Sequence, residues 1–432
     1  MTTAFRLPLC SAAARFCVGH QFRQLACTVL AGLLSGTAFA QTTPQAQDTM
    51  FTRLVQKNQF ALTPTGTQFT GLGWEKLQQD IQKSQLVLIG EDHGMAQIPA
   101  FATAVARELK PALYVAEIDK YQAQDVSRLA TQPGLASAFN KKYPMALSFY
   151  SWAEEMELAR YLRTQNVSIL GIEQVGIGTP GRFFTVLSEK VKSKPAKAYL
   201  QQRARTYQTR DYTAMLTGKY NGITMFALGQ SGIDSLRAFT EKESPEARKM
   251  VDDFVASYRI YQESFAGKRS SHFARINLMK RNLLAELQPY QQANQPLPKM
   301  LFKFGAYHVG QGRSIWGDIY DVGNLAKNLA DMHDQKSLHI FVMGKQGTKL
   351  GAGVPDADVK NTVKYSDAEE AMIKPFAAQT KAGSAWQIFD LRPLRAALLR
   401  DKLKVSSHEL EATILGYDYV VIIPETTSSH SL

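Results

Sequence analysis

The feature that most constrains the fold is a repeated one: a short, mostly apolar run that stops at a charged or imidazole side chain. Gln85-Leu-Val-Leu-Ile-Gly-Glu-Asp-His-Gly94 shows it first, with Leu86 to Ile89 followed at once by Glu91, Asp92 and His93. Residues 112–116 stop at Glu117-Ile-Asp119, 167–172 at Glu173, 299–304 at Gly305-Ala-Tyr-His308, and 386–389 at Asp390. Two further runs, 337–343 and 417–423, stop at Gly344-Lys345 and Pro424-Glu425. Short runs of this kind, separated by helical periodicity, read as interior strands of a parallel sheet covered on both faces. The predicted class is therefore α/β, a mostly parallel central sheet flanked by helices. In such sheets ligands bind outside the carboxyl ends of the strands. Glu91, His93, Glu117, Asp119, Glu173, His308 and Asp390 are accordingly expected along one edge, lining one cleft. Asp92 reads differently, as the cap of the helix that follows.

Helical spacing is clear over 74–84, 97–109, 121–130, 148–164 and 322–332. From about Arg182 to Ala293 the helical pattern is unbroken by any strand and dense in Lys, Arg and Glu, which predicts a large helical insertion between the third and fourth strands. The chain then divides into 41–73, a leader and N-terminal loop segment; 74–181, the first half of the α/β core; 182–293, the insertion or cap; and 294–427, the second half. Residues 51–72 lack periodicity and carry the loop signals Pro64-Thr-Gly-Thr-Gln68 and Gly71-Leu-Gly73, and 346–365 reads as a polar loop.

Residues 1–40 have the form of a secretory signal: Arg6, Arg15 and Arg23 without an acid, a short apolar stretch from Leu25 to Phe39, and Ala38-Phe39-Ala40 for cleavage before Gln41. The expected location is periplasmic or secreted. All three cysteines, Cys10, Cys17 and Cys27, fall inside that segment. Its loss would leave a chain without disulfides, thiolate nucleophiles or Cys-ligated metals. Without its three arginines the net charge is +9, spread over scattered basic residues with no run interleaved with aromatics. That is a solvated basic surface, and nucleic acid is not an expected partner. No later stretch is long and apolar enough to span a membrane.

Gly176-Ile-Gly178-Thr-Pro-Gly181 matches the spacing of a dinucleotide loop, but Pro180 sits inside the turn and no acid follows at the required distance, so a hinge into the insertion is the better reading. Leu228-Gly-Gln-Ser231-Gly232 lacks the last glycine of a nucleophile elbow. Of the histidines, His272, His333, His408 and His430 have polar neighbours and read as surface residues, and His339 as a residue of a strand face. His93 and His308 share the frame Gly-x-x-His at a strand end, where the glycine lets the chain turn sharply out of the sheet. Two imidazoles among carboxylates can do two kinds of work. One His held by a carboxylate can deprotonate water while the other binds or protonates the substrate oxygen. Equally, His93, Glu117 and His308 could hold a divalent metal that activates water.

These residues together resemble the superfamily that joins erythromycin esterases, ChaN-like haem-binding proteins and Tiki/TraB-like peptidases, and its erythromycin esterase-like branch above all. Gly-Glu-Asp-His-Gly94 is similar to that branch's Gly-Glu-x-x-His-Gly, one residue shorter, and Ala116-Glu117 to its strand-end Glu. Trp152, Glu155 and Arg163 resemble its Trp…Glu…Arg helix, and Arg275, Met279 and Asn282 its Arg-x-x-x-Met-x-x-Asn. Gly416-Tyr-Asp-Tyr-Val-Val421 with Glu425-Thr-Thr427 is similar to its last strand, so the resemblance spans about 75–427. It implies a hydrolase of small ester or lactone substrates, with Glu91, His93, Glu117 and His308 as the active-site set and Asp119, Glu173, Arg275, Asn282, Tyr307 and Asp390 in support. No cofactor is implied by the esterase branch; a divalent metal belongs to the peptidase alternative and haem to the binding-protein alternative. Two departures stand out: Ile98-Pro-Ala-Phe-Ala102 occupies the place of a family Arg, the nearest here being Arg107, and Gly305-Ala-Tyr307 lacks the Asn of the second His motif.

Overall fold

The computed structural model describes residues 44–292, 295–315, 319–351, 361–383, 385–405 and 407–432. The expected signal segment lies outside them. Ten strands form one sheet: β1 (Gln59–Thr65), β2 (Gln68–Thr70), β3 (Leu86–Glu91), β4 (Leu113–Ala116), β5 (Ser168–Gly171), β6 (Met300–Gly305), β7 (Ser337–Leu350), β8 (Thr362–Lys364), β9 (Trp386–Asp390) and β10 (Tyr419–Thr426). Their order is β2-β1-β9-β10-β7-β3-β6-β4-β5, with β8 paired to β7. The run from β10 to β5 is parallel throughout, and β9, β1 and β2 extend one edge antiparallel. The protein is thus α/β with a mostly parallel central sheet flanked by helices.

The central strands are apolar because both faces are covered. Every residue of β3 and β4 is buried. Alternate side chains feed two apolar layers: Val87, Ile89, Leu301 and Ile340 pack with helices Gln97–Leu109 and Ala153–Thr164, whereas Leu86, Leu88, Phe302 and Phe341 pack with Ser270–Gln292 and Val322–Met332. A third layer, built around Phe183, Phe184, Leu200 and Phe254, lies mainly among the helices between Pro180 and Phe265, with Val175 from the preceding loop. Between β5 and β6 the chain is helical from Pro180–Lys190 through Ser270–Gln292.

Three expectations are corrected at the sheet's margins. Residues 44–73 are no leader and loop but a helix, Pro44–Lys57, followed by β1 and β2, which join the sheet through β9. Leu62 is the one fully buried side chain of β1, so alternation is too weak to register in sequence. The polar stretch after Met343 likewise continues as β7 to Leu350 and turns back as β8, with 352–360 outside the described residues. Finally, Asp92 does not cap the next helix: Gln97–Leu109 starts after Ala96 with no side-chain cap, and Asp92 instead pairs with Lys349 of β7.

Candidate functional site

Because β3, β4, β5 and β6 run parallel, their carboxyl ends deliver Glu91 with His93, Glu117, Glu173 and His308 to one edge. The turn after β3 depends on two glycines. A Cβ on Gly90 would stand 2.8 Å from Val309 Cγ2 and 3.0 Å from Ala306 Cα, so the loop bearing His308 can lie directly against β3. Gly94 has φ +90° and faces the Leu350 backbone, a conformation and a space that L side chains rarely occupy.

Two carboxylate–imidazole pairs result. His93 Nδ1 lies 2.8 Å from Glu91 Oε1, and His308 Nδ1 lies 2.8 Å from Asp321 Oδ2. Held in this way through one nitrogen, each ring has a fixed orientation, and the other nitrogen is directed elsewhere. Both Nε2 atoms face the same group, Glu117, at 3.4 Å for His93 and 3.6 Å for His308. The Glu117 carboxylate is itself pinned: Gly305 N–H donates to Oε2 at 2.6 Å and Arg275 Nη2 to Oε1 at 3.0 Å. Arg275, on the insertion helix Ser270–Gln292, also grips Glu173 through Nε at 2.8 Å. Seven residues further along the same helix, Asn282 donates to the Ile172 carbonyl at 2.8 Å. Phe149 stacks on the His93 ring with centroids 4.1 Å apart.

The electrostatics separate the groups. Burial alone would raise the Glu117 carboxyl, but His93, His308 and Arg275 overcome it and hold it well below the usual carboxylate range. Burial likewise works against the charged form of His308, and the Asp321 carboxylate outweighs it, so the imidazole is shifted up. At the far side of the site, Lys303 of β6 is buried between Glu91 (2.6 Å) and Glu155 (2.5 Å). Burial pushes both acids up. For Glu91 the Lys303 ammonium and His93 reverse this and lower it, whereas Glu155, sharing Lys303 with the negative Glu91, is raised to about 7.

The expected supporting residues divide. Glu173, Arg275 and Asn282 meet the cluster as described. Asp119 caps helix Lys120–Leu129 and accepts from Tyr121 N, Gln122 N, Gln122 Nε2 and Gly176 N, a buried structural carboxylate that ties the glycine-rich hinge to β4. Tyr307 is part-buried against the second apolar layer, and its carbonyl accepts from Ser314. Asp390 is misplaced by the sequence argument. β9 is antiparallel to β10, so its carboxyl end pairs with Tyr419 at the beginning of that strand, on the opposite edge of the sheet, where Asp390 binds Arg392. His272 is also corrected: it is no surface residue but part-buried, its ring centroid 6.4 Å from that of His308. Burial, with His308 and Arg275 nearby, lowers it to about 4. His339 is buried in β7, its Nδ1 bound to the Val309 carbonyl, and His430 is exposed against Glu154.

Three members of the cluster escaped the sequence. Neither Lys303 nor Asp321 is singled out by any motif; Asp321 also caps helix Val322–Met332, accepting from Val322 N at 2.6 Å. Phe149 had no signal beyond its helix. Among the described residues no group of three or more His, Cys, Asp or Glu side chains is arranged to hold a metal ion, and no helix is long and apolar enough to cross a membrane.

No family model matches the sequence, and no curated protein matches it. Among solved structures, the chain is similar to a succinoglycan biosynthesis protein at 11% identity and a TM-score of 0.53, over 90% of this chain and 100% of that one. It is similar to a histidine-to-asparagine variant of the erythromycin esterase EreC in its open conformation at 14% identity and a TM-score of 0.50, over 82% of this chain and 94% of that one. At these identities the likeness is one of fold.

Proposed function

We propose that this protein is a hydrolase outside the cytoplasm, acting on the ester or lactone carbonyl of a small molecule through activated water. The observation that carries this reading is the convergence of His93 and His308, each held at Nδ1 by its own carboxylate, on opposite oxygens of Glu117. Donation of Nδ1–H to Glu91 leaves His93 Nε2 as an acceptor, the form a general base needs. Glu117, ionised, accepts one hydrogen of a water while Nε2 takes the other. The hydroxide oxygen then bonds to the carbonyl carbon.

His308 has the complementary chemistry. Its shift toward the protonated form makes Nε2–H a charged donor for the oxyanion that develops. When the carbon–oxygen bond to the leaving group breaks, that alkoxide takes the Nε2 proton of His308. The proton from water remains on His93 until product leaves; His93 then releases it to solvent and His308 regains one from solvent, which restores the starting state. Arg275 bridges Glu117 and Glu173, which offsets the repulsion between these two acids at one edge.

The test is a panel of esters and lactones assayed with and without chelator, on wild type and on His93→Ala and His308→Ala. Hydrolysis that survives chelation and is lost in both variants supports the proposal; full activity in both overturns it. Chelator-sensitive amide cleavage would place the protein with metal peptidases instead. A Soret band on haem addition that requires either histidine would make it a binding protein.

A further inference from the structure

Lys303 is in an unexpected place. It belongs to β6, where it pairs with Ile89 of β3 and Ala116 of β4. Its strand neighbours Phe302 and Phe304 enter one apolar layer, while Leu301, two residues away and on the same side as Lys303, enters the other. The ammonium therefore projects into the layer formed with helix Ala153–Thr164, where its side chain is 3% exposed. For packing alone, a leucine or methionine at this position would serve as well, and an ion pair this deep gives no advantage in stability over a hydrophobic replacement. The cation must be accounted for by what it touches.

It touches Glu91 and Glu155, both also 3% exposed, and it reaches Glu91 at Oε1. That same oxygen is the partner of His93 Nδ1 at 2.8 Å. A carboxylate that meets a cation and an imidazole through one atom cannot rotate without losing both. Glu155 in turn holds Lys303 from the helix side at 2.5 Å. Tyr114 and Tyr150, joined by a 3.1 Å hydrogen bond, complete the polar pocket, and burial pushes both phenols up, so they add no charge. The series Glu155, Lys303, Glu91, His93 is a continuous line of contacts that ends on the ring assigned above as the base.

We propose that Lys303, anchored by Glu155, is a positioning residue: it fixes the Glu91 carboxylate, ionised and in a single orientation, so that Glu91 sets the tautomer and plane of His93. The proposal rests on the assignment of His93 as general base and adds to it where that base is controlled. Neither residue touches substrate, so their loss is expected to appear in kcat and not in KM.

Three variants test it. Lys303→Met removes the cation at nearly constant volume, Glu155→Gln keeps the cation and its contact with Glu91, and Lys303→Met/Glu155→Leu removes both charges so that no acid is stranded beside an apolar side chain. The expected results are a fall of at least tenfold in kcat for Lys303→Met with KM within twofold, a smaller fall for Glu155→Gln, and a double variant that recovers the melting temperature but not kcat. Recovery of both would make the pair merely structural and overturn the proposal. A readout independent of turnover is the 15N spectrum of His93. The wild type should show the Nδ1-protonated tautomer, and Lys303→Met a mixture; an unchanged spectrum in a folded Lys303→Met protein also overturns it. His93→Ala in the same assay separates the two ideas: if hydrolysis survives that change, the base assignment fails, whereas loss there with normal Lys303→Met turnover and spectrum fails only the positioning role.

Discussion

At the scale of single residues, the site is a set of groups that differ in charge because their neighbours differ. His93 and His308 have the same local frame, the same kind of Nδ1 partner and a shared neighbour in Glu117, yet the partners differ: Glu91 also holds Lys303, whereas Asp321 also caps helix Val322–Met332. For the proposed base, His93→Ala should lower kcat by about 10²- to 10⁴-fold, the usual contribution of a positioned acid or base, measured on whichever ester the panel identifies. For His308 the sign follows from its raised value. Stabilisation by Asp321 is complete below the ordinary imidazole value of ~6.5 and is lost as pH climbs through the shifted one. Urea midpoints of the wild type should therefore decline across that alkaline window, and Asp321→Asn should flatten the decline; a variant that keeps the wild-type slope would contradict the assignment. Glu117 has the opposite sign. Its lowered value contributes stability present above the usual carboxylate range and lost on acidification, so Glu117→Gln should make acid unfolding less steep.

At the scale of elements, strand ends and their turns govern the site. Gly94 sets the exit of the chain from β3 past His93, and its carbonyl accepts both from Leu350 N at 2.9 Å and from Ser429 N at 2.9 Å. Gly94→Ala would place a Cβ against the Leu350 backbone at a positive φ, at a cost of about 1–3 kcal/mol, and should lower both the thermal midpoint and turnover. The same scale explains what could be read in advance. β3, β4 and β6 were legible because strands buried on both faces are continuous apolar text, β5 because its short apolar run stops at Glu173, and these stops placed Glu91, Glu117, Glu173 and His308 together. The marginal strands β1, β2 and β8 were not, since a strand with at most one buried side chain resembles a loop. Strand direction was invisible as well: nothing within Trp386–Asp390 says that β9 runs backwards, and Asp390 was carried to the wrong edge for that reason alone. Lys303 escaped because its role depends on a partner 212 positions away, Glu91, and Asp321 because no motif ties it to His308, 13 positions before it.

At the scale of the whole molecule, the insertion is joined to the sheet by a charged clamp as well as by packing. Arg275 crosses from the helix Ser270–Gln292 to Glu117 at the end of β4 and Glu173 just after β5. Arg275→Leu leaves two part-buried or buried acids facing one another, and removing one partner of a buried pair costs about 3–5 kcal/mol. Calorimetry should show that loss, and kcat should fall with it because Glu117 is no longer held between the two histidines. Asn282→Leu, which only frees the Ile172 carbonyl, should cost about 1–3 kcal/mol with a milder effect on turnover.

The placement of β3 between β6 and β7 has a consequence for when this protein becomes competent. The strand that bears Glu91 is made early and must wait for partners that follow the whole helical insertion. A nascent chain, or any fragment ending before β7, lacks a neighbour on one side of β3, and closing so long a loop is slow. Activity should therefore return during refolding in a single late phase, together with burial of Trp74, Trp152 and Trp386 and never ahead of it. Turnover would then serve as a clock for completion of the sheet.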